Sequence, residues 1–279
     1  MNGLSGISIE LTSRCNKGNG LPGGGCHMCG RRKMEREHPE MCSWGDMPLA
    51  MVKRIADQIP FGVSIQLHNN GEPLLYPDLG EALSMFGGHY VGLNTNGKLL
   101  MERSGEIRSY LSTITISVIP DDPEGHEQLD MAQRFILLKD RPLVVFRLLG
   151  YIDEGRVLLI RKWREMYPKI VIAYRILHSP DGSFNYEKRT VKPETGICLE
   201  MLHKLAIDRY GGVYPCVRFD PHKKNLLGSV NIPHIGLPDT LYDIWNGDKR
   251  QQWIQHHIEG RRDLVPLCGE CSFWGVPRG

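Results

Sequence analysis

Residues 15–29 read Cys-Asn-Lys-Gly-Asn-Gly-Leu-Pro-Gly-Gly-Gly-Cys-His-Met-Cys, and this stretch decides how the fold is interpreted. It follows an alternating apolar segment, residues 4–11, which predicts a β-strand. A Gly-rich loop is flexible enough to let three cysteine thiolates bind the same metal centre. Zinc favours a fourth ligand, which His27 or Cys42 could supply, whereas three cysteines on a four-iron cluster leave one iron open. We therefore expect an iron-sulfur cluster here, with the metal ligands Cys15, Cys26 and Cys29.

The composition is that of an ordinary globular protein. With 279 residues, 41% of them hydrophobic, the chain can bury one large core or two modest ones. No run approaches the roughly eighteen apolar residues of a membrane span, and residues 1–6 lack the features of a secretory signal. We therefore expect a cytoplasmic protein without a membrane partner, in which eight cysteines favour metal over disulfides. A net charge of +2 gives no global field to attract nucleic acid, and the local basic clusters are interspersed with acidic residues.

Helix and strand patterns alternate through the first two thirds of the chain. After the first strand, further strands are predicted at 63–67, 90–94, 113–118, 143–149 and 169–176. Helical patterns lie between them, including one at 47–58 with Asp46 as its N-cap. Six strands with five helical crossovers predict a parallel sheet with right-handed connections. The fold class is therefore α/β, with a partial (β/α)6 parallel barrel over residues 1–190.

Unusual residues fall at the carboxyl ends of these strands, where a parallel barrel places its working residues. Asn70-Gly71-Glu72-Pro73 follows the second strand, Asn94-Thr95-Asn96-Gly97 follows the third, and Ser117 closes the fourth. Arg147 and Tyr174 lie near the ends of the fifth and sixth strands, where Arg147 suits either a ligand carboxylate or an acid at the edge of the core. Because Asn-Gly is also a common turn pair, the pattern alone leaves residues 70–73 open between a ligand site and a plain turn.

A second cysteine set follows the point near Thr190 where the alternation stops. Its members are Cys198, Cys216, Cys268 and Cys271, and residues 205–216 predict a β-hairpin that carries Cys216 on its second arm. Four cysteines in two well-separated pairs predict a closed metal site, and the spacing does not choose between zinc and iron-sulfur. We expect a small C-terminal α+β domain over residues 191–279, with His256 and His257 on its surface.

These motifs together resemble the radical S-adenosylmethionine (SAM) superfamily with a C-terminal SPASM or twitch domain. There, three cysteines after the first strand hold a 4Fe-4S cluster whose fourth iron binds SAM. The gap of ten residues between Cys15 and Cys26 replaces the usual three. Cys198 and Cys216, followed by Leu-Tyr-Asp-Ile-Trp-Asn at 241–246 and the Cys-x-x-Cys at 268–271, resemble the four-cysteine twitch form. The resemblance covers about residues 5 to 275.

The resemblance implies two 4Fe-4S clusters, one binding SAM and one auxiliary, and an electron donor such as flavodoxin or ferredoxin. Reductive cleavage of SAM would give a 5'-deoxyadenosyl radical that abstracts a substrate hydrogen, while the auxiliary cluster helps to oxidise or rearrange the substrate. The enzyme would be an oxidoreductase or isomerase acting on a small molecule, a peptide, or a modified nucleoside or DNA base. A non-catalytic metal-binding module is the alternative. The implied cofactor-binding residues are Asn70, Gly71, Glu72, Pro73, Asn94, Ser117 and Arg147, and the implied metal ligands are the seven cysteines of the two sets.

The ten-residue insert Asn16–Gly25 is foreign to this pattern. Its five glycines let it bulge without moving Cys15 or Cys26, and a longer loop adds little closure entropy. We expect the insert to lie over the mouth of the barrel, a plain exposed loop being the alternative. Cys42, outside both sets, is expected to be a buried or idle thiol.

Overall fold

The computed structural model describes residues 1–18, 26, 29–118, 124–149, 154–175, 197–231, 233–234, 237–269 and 271. The strands in these ranges are β1 (Gly6–Ile9), β2 (Ser64–Leu67), β3 (Val91–Thr95), β4 (Thr113–Val118), β5 (Leu143–Leu149), β6 (Val171–Arg175), β7 (Lys204–Ile207), β8 (Gly212–Tyr214), β9 (Gly228–Ser229), β10 (Pro233–His234) and β11 (Leu237–Pro238). The α-helices are α1 (Gly30–Glu37), α2 (Leu49–Ala56), α3 (Leu79–Ser84), α4 (Ser104–Tyr110), α5 (Gly125–Ile136), α6 (Glu154–Met166), α7 (Leu199–His203), α8 (Leu241–Asn246) and α9 (Asp248–Ile258). Short 3₁₀ helices occupy Pro39–Met41, Pro73–Leu75 and Arg262–Leu264.

Nine of the described strands form one sheet, in the order β6-β5-β4-β3-β2-β1-β7-β8-β9. Strands β1 to β6 run parallel, and helices lie in each connection between them. The predicted α/β class and the six parallel strands are confirmed. The sequence placed the ends of β2 to β6 within two residues, because alternating apolar residues mark strands that are buried on a sheet face.

The strand β1 lies inside the sheet and has a parallel neighbour on each edge. Ile9 is opposite Leu67 of β2 on one side and opposite Ile207 of β7 on the other. All three side chains are fully buried in the main hydrophobic core. The loop that leaves β1 therefore starts from a fixed position at the carboxyl edge of the sheet.

The C-terminal part of the chain continues this sheet. β7 is parallel to β1, and β8 and β9 follow in antiparallel pairing. Leu205 and Val213 belong to the same core cluster as Ile9. The predicted boundary at residues 190 and 191 lies outside the described residues and stays a prediction. None of the helices in the described ranges is long and apolar enough to cross a membrane.

The prediction that Asp46 caps the helix at 47–58 was wrong. Helix α2 begins at Leu49 with Pro48 at the N-cap. The Asp46 carboxylate instead accepts from the Thr12 hydroxyl over 2.6 Å and pairs with Arg14 at 3.2 Å. Asp46 thus ties the segment before α2 to the residues that lead into Cys15.

Candidate active site

The first three cysteines lie between the end of β1 and the start of α1. Cys29 is the residue before α1, and its N–H donates to the Cys26 carbonyl oxygen over 2.9 Å. Burial raises the pKa of the Cys15 thiol, the Lys17 N–H lowers it, and the charges of Glu72 and Cys29 raise it again. Cys15 and Cys29 are therefore electrostatic neighbours. A cationic centre between them would stabilise both thiolates, so the donor set fits an iron-sulfur group.

Gly71 fits where no other residue can. A Cβ atom at Gly71 would lie 1.9 Å from the Thr12 carbonyl oxygen and 2.9 Å from that of Arg14. The next residue, Glu72, donates its N–H to the Arg14 carbonyl oxygen over 2.7 Å. The turn at residues 70–73 is thus packed directly against the backbone that leads into Cys15. This contact is the physical reason for a glycine here.

The Glu72 carboxylate is held by three donors of the chain itself. Oε1 accepts from the Leu74 N–H at 3.1 Å and the Thr95 hydroxyl at 2.7 Å. Oε2 accepts from the Asn96 N–H at 2.7 Å. Burial raises the Glu72 pKa to about 7, against the lowering effect of these bonds. Glu72 therefore fastens the turn after β2 to the loop after β3, and its role toward the SAM amino group stays a prediction.

Asn70 is also engaged by the chain, through a residue that the sequence did not single out. Its N–H and its side-chain Nδ2 donate to Glu10 Oε2 over 3.3 and 3.0 Å. Glu10 follows β1 directly and is 4% exposed. Burial is the largest effect on the pKa of Glu10 and raises it to about 7. The hydrogen bonds from Asn70 act against this rise, the charge of Asp208 adds to it, and the charge of Arg209 reduces it. Glu10 is thus a buried acid that titrates near neutrality at the carboxyl edge of the sheet.

The other predicted cofactor residues lie on the neighbouring strands. Asn94 on β3 accepts from Gln66 Nε2 through its side-chain oxygen at 2.9 Å. Ser117 on β4 lies opposite Arg147 on β5 in the parallel register. The structure brings Ser117 and Arg147 side by side, as their assignment to one ligand requires, and that assignment stays a prediction. The side chain of Tyr174 lies outside the described residues, as does His27.

The start of the insert is built into the fold. Lys17 is 2% exposed, and its ammonium group donates to Gln128 Oε1 on α5 over 2.6 Å. The Gly18 N–H donates to Glu124 Oε2 over 2.9 Å. Glu124 also binds Lys98 at 2.7 Å. Residues 16–18 are therefore anchored above the carboxyl edge of the sheet. Most of the prediction for the insert concerns residues 19–25, which lie outside the described residues.

The four cysteines of the second set come together from three parts of the C-terminal region. Cys198 precedes α7, Cys216 follows β8, and the Cys271 N–H donates to the Cys268 carbonyl oxygen over 3.2 Å. Burial raises the pKa of Cys216, and the charges of the other three thiols raise it further. The Cys268 pKa rises to about 12, through burial and then the charge of Cys271. The four thiols therefore repel one another as thiolates.

The charges of all four thiols act on one another. A cationic metal group held between them would offset this repulsion, so the donor set fits an iron-sulfur cluster. Structural zinc uses the same four thiolates, and the donor set does not choose between the two metals.

The prediction of a surface position for His257 was wrong. His257 is 2% exposed, and its Nδ1 accepts from the Cys198 N–H at 3.4 Å. It shares a buried face of α9 with Arg250 and Trp253, at spacings of three and four residues. This spacing was the only sequence pattern that could have predicted a buried face on α9. It was a weak pattern because the face carries only one large apolar residue. The half-buried Cys42 thiol donates to the His38 carbonyl oxygen at 3.6 Å, and its expected lack of a role stays a prediction.

A cleft of about 280 Å³ is lined by residues next to the first cysteine set and by a cysteine of the second. Its lining includes Gly30 and Arg31, which follow Cys29, and Cys216 itself. Glu10 contributes its buried carboxyl to the wall. The remaining lining is mixed in charge and rich in rings, including Trp44, Asp208, Arg209, Tyr210, Tyr214, Arg218 and Phe219.

Comparisons with known proteins agree with this arrangement. Residues 198–272 match the family model of the SPASM iron-sulfur cluster-binding domain. BtrN, in a crystal structure of an open conformation, superimposes with a TM-score of 0.60 at 19% identity, covering 99% of this chain and 96% of BtrN. SuiB of Streptococcus suis bound to S-adenosylmethionine gives 0.60 at 13% identity, covering 98% of this chain and 72% of SuiB. No curated protein matches the chain in sequence.

The chain therefore shares its fold with BtrN and SuiB. Its C-terminal residues 198–272 match the SPASM iron-sulfur domain. The resemblance drawn from the cysteine spacing is confirmed for the fold and for the C-terminal domain. It holds even though the first cysteine gap departs from the usual pattern.

Proposed function

We propose that the protein is a radical SAM enzyme that oxidises its substrate in the cleft lined by Gly30, Arg31 and Cys216. The observation that carries the proposal is this lining, which joins the neighbours of Cys29 to a cysteine of the second set. A substrate held in this cleft would be positioned for both redox groups and shielded from water.

Three cysteines, Cys15, Cys26 and Cys29, would hold the first cluster, and the second set would hold the auxiliary one. When bound, the first cluster and SAM supply a one-electron reduction that yields methionine and a 5'-deoxyadenosyl radical able to take a hydrogen atom from the substrate. Glu10 would accept a proton from the substrate radical, and an auxiliary cluster held by the second cysteine set would supply the acceptor for the remaining electron. Loss of a hydrogen atom, a proton and an electron makes the net change a two-electron oxidation.

Glu10 suits this role for geometric and energetic reasons. Both hydrogen bonds that Asn70 gives it end on Oε2, and Oε1 accepts none from the described residues. It lines the cleft, and burial raises its pKa to about 7. A carboxyl that is half protonated near neutral pH can take and release a proton at little cost.

The substrate class remains a prediction among a small molecule, a peptide and a nucleoside. The basic cluster on α1 gives little support to nucleic acid, because Arg31 and Arg32 both pair with Glu35, at 3.2 and 2.7 Å. A low-potential carrier such as flavodoxin or ferredoxin and a reducing, cytoplasmic setting belong to the proposal. Cysteines grouped in two metal-binding sets, rather than spaced as a disulfide framework, suit the reducing setting.

Anaerobic reconstitution with iron and sulfide tests the proposal. We expect two clusters per chain and, with dithionite and SAM, formation of 5'-deoxyadenosine. Stoichiometric zinc without reductive SAM cleavage would favour the non-catalytic metal-binding module instead. Iron in the second site without SAM cleavage would keep the auxiliary cluster and refute the radical chemistry.

A further inference from the structure

Arg218 is a half-buried cation, and two of its side-chain donors lack an acceptor among the described residues. These donors are the Nε and Nη1 atoms, both of which are buried. A buried N–H without an acceptor costs free energy, and a guanidinium group keeps its charge at any accessible pH. An acceptor is therefore expected at this place that the described part of the chain does not supply.

The surroundings of Arg218 indicate where that acceptor lies. Its backbone N–H donates to the Cys216 sulfur, and its charge lowers the pKa of Cys268 against the raising effects of burial and of Cys271. Arg218 thus touches one thiol through its backbone and acts on a second through its guanidinium group. Arg218 also lines the cleft, as Cys216 does.

We propose that Nε and Nη1 of Arg218 donate hydrogen bonds to sulfur atoms of the iron-sulfur group held by the second cysteine set, and so raise its reduction potential. This inference rests on the proposed function, since it requires an iron-sulfur group in that site. Hydrogen bonds to cluster sulfurs and nearby positive charge stabilise the reduced form, which carries one more negative charge. Arg218 is then a positioning residue that makes the auxiliary site a better acceptor for the substrate electron.

Arg262 offers a matched control. Its charge also lowers the Cys268 pKa, as a smaller contribution than that of Arg218. Arg262 begins a short 3₁₀ helix and its side-chain nitrogens are not among the buried donors without partners. Loss of either arginine removes one positive charge near the same thiol. Only loss of Arg218 removes the two buried donors.

The test is a redox titration, followed by electron paramagnetic resonance, of protein in which Cys15, Cys26 and Cys29 are replaced by Ala so that only the second cluster contributes. At the potential where this parent is half reduced, Arg218→Gln should be about tenfold more oxidised, equivalent to about 59 mV for a one-electron couple. Arg262→Gln should change the ratio by less than about twofold. Equal shifts in both variants, or no shift in Arg218→Gln, would overturn the inference while leaving the proposed function intact. A parent that binds zinc, or no iron, in this site would overturn both.

A second measurement decides the matter if Arg218→Gln does not assemble its cluster. Arginine labelled with ¹⁵N in the guanidinium group is incorporated into the same parent carrying Arg262→Lys. Pulsed paramagnetic resonance of the reduced cluster should then show a ¹⁵N coupling from an arginine. Absence of that coupling would overturn the inference.

Discussion

Two buried glutamates at the carboxyl edge of the sheet should respond differently to the same substitution. Glu10 and Glu72 are both at most 4% exposed, and burial raises the pKa of each from 4.5 to about 7. Below pH 4.5 each is protonated whether the chain is folded or unfolded. Between pH 4.5 and 7 the unfolded chain loses the proton while the folded chain keeps it. Stability therefore falls as pH rises through this window, and the loss stays constant above it.

The magnitude follows from the size of the shift. A change of about 2.5 pKa units corresponds to roughly 3 kcal/mol per group. In Glu10→Gln the amide oxygen can accept both Asn70 bonds, since these end on one oxygen, and the NH₂ group takes the position of Oε1. We expect this variant to match the parent below pH 4.5 and to exceed it by about 3 kcal/mol at pH 8, a rise of roughly 6 °C in melting temperature.

Glu72→Gln should lack most of this gain. The three donors of Glu72 are divided between its two oxygens, so an amide must turn its NH₂ group toward at least one N–H donor. That mismatch costs about 1–3 kcal/mol, and Glu72→Gln should lie below Glu10→Gln by this amount at every pH.

The assay is the thermal unfolding of the reconstituted protein between pH 5 and 8.5 under anaerobic conditions, always as a difference from the parent. Cluster contributions are common to both proteins and cancel in that difference. Glu102→Gln, at an exposed carboxyl, is the matched control and should leave the profile unchanged. A profile for Glu10→Gln that runs parallel to that of the parent from pH 5 to 8.5 would refute the reasoning, because burial would then not raise the Glu10 pKa.

Three further predictions concern the cysteine loop and its supports. Gly71→Ala should destabilise the protein by about 3 kcal/mol and lower the iron content of the first site, because the added Cβ meets the Thr12 carbonyl oxygen. The control Gly105→Ala, in α4 with no atom within 4 Å of the added Cβ, should stabilise the protein by up to about 1 kcal/mol. Equal melting temperatures for the two variants would contradict the packing argument. Replacing Cys15, Cys26 and Cys29 with Ala should abolish SAM cleavage and leave the C-terminal cluster assembled, as iron analysis and product chromatography can check; residual 5'-deoxyadenosine would speak against these ligands. Replacing residues 16–25 with a three-residue linker should lower both stability and turnover, because Lys17 and Gly18 lose their partners Gln128 and Glu124; a shortened protein as stable and active as the parent would show that the insert has no role.

The sequence predicted best what depends on local pattern. The strands β2 to β6 were placed because each is a short apolar run between turn residues, and the two cysteine sets were found because thiols are rare and their spacing is specific. The pairing of β7 with β1 was not predicted, since three apolar residues at 205–207 do not indicate which strand they pair with. His257 was misplaced because a helix with one apolar residue on its buried face looks exposed. Glu10 was overlooked because one acid after a strand is an ordinary strand end until burial is known.

The parallel pairing of β1 with β7 has a consequence for how the chain is made. Residues 6–9 and 204–207 are about 200 positions apart, so at 5–20 residues per second the outer edge of β1 waits roughly 10–40 s on the ribosome for its neighbour. During that interval the unpaired N–H and C=O groups of β1 form an open edge beside an apolar core. A nascent chain stopped near residue 190 would therefore be prone to self-association. Chaperones that bind nascent chains would matter most for this protein before residues 204–207 have been made.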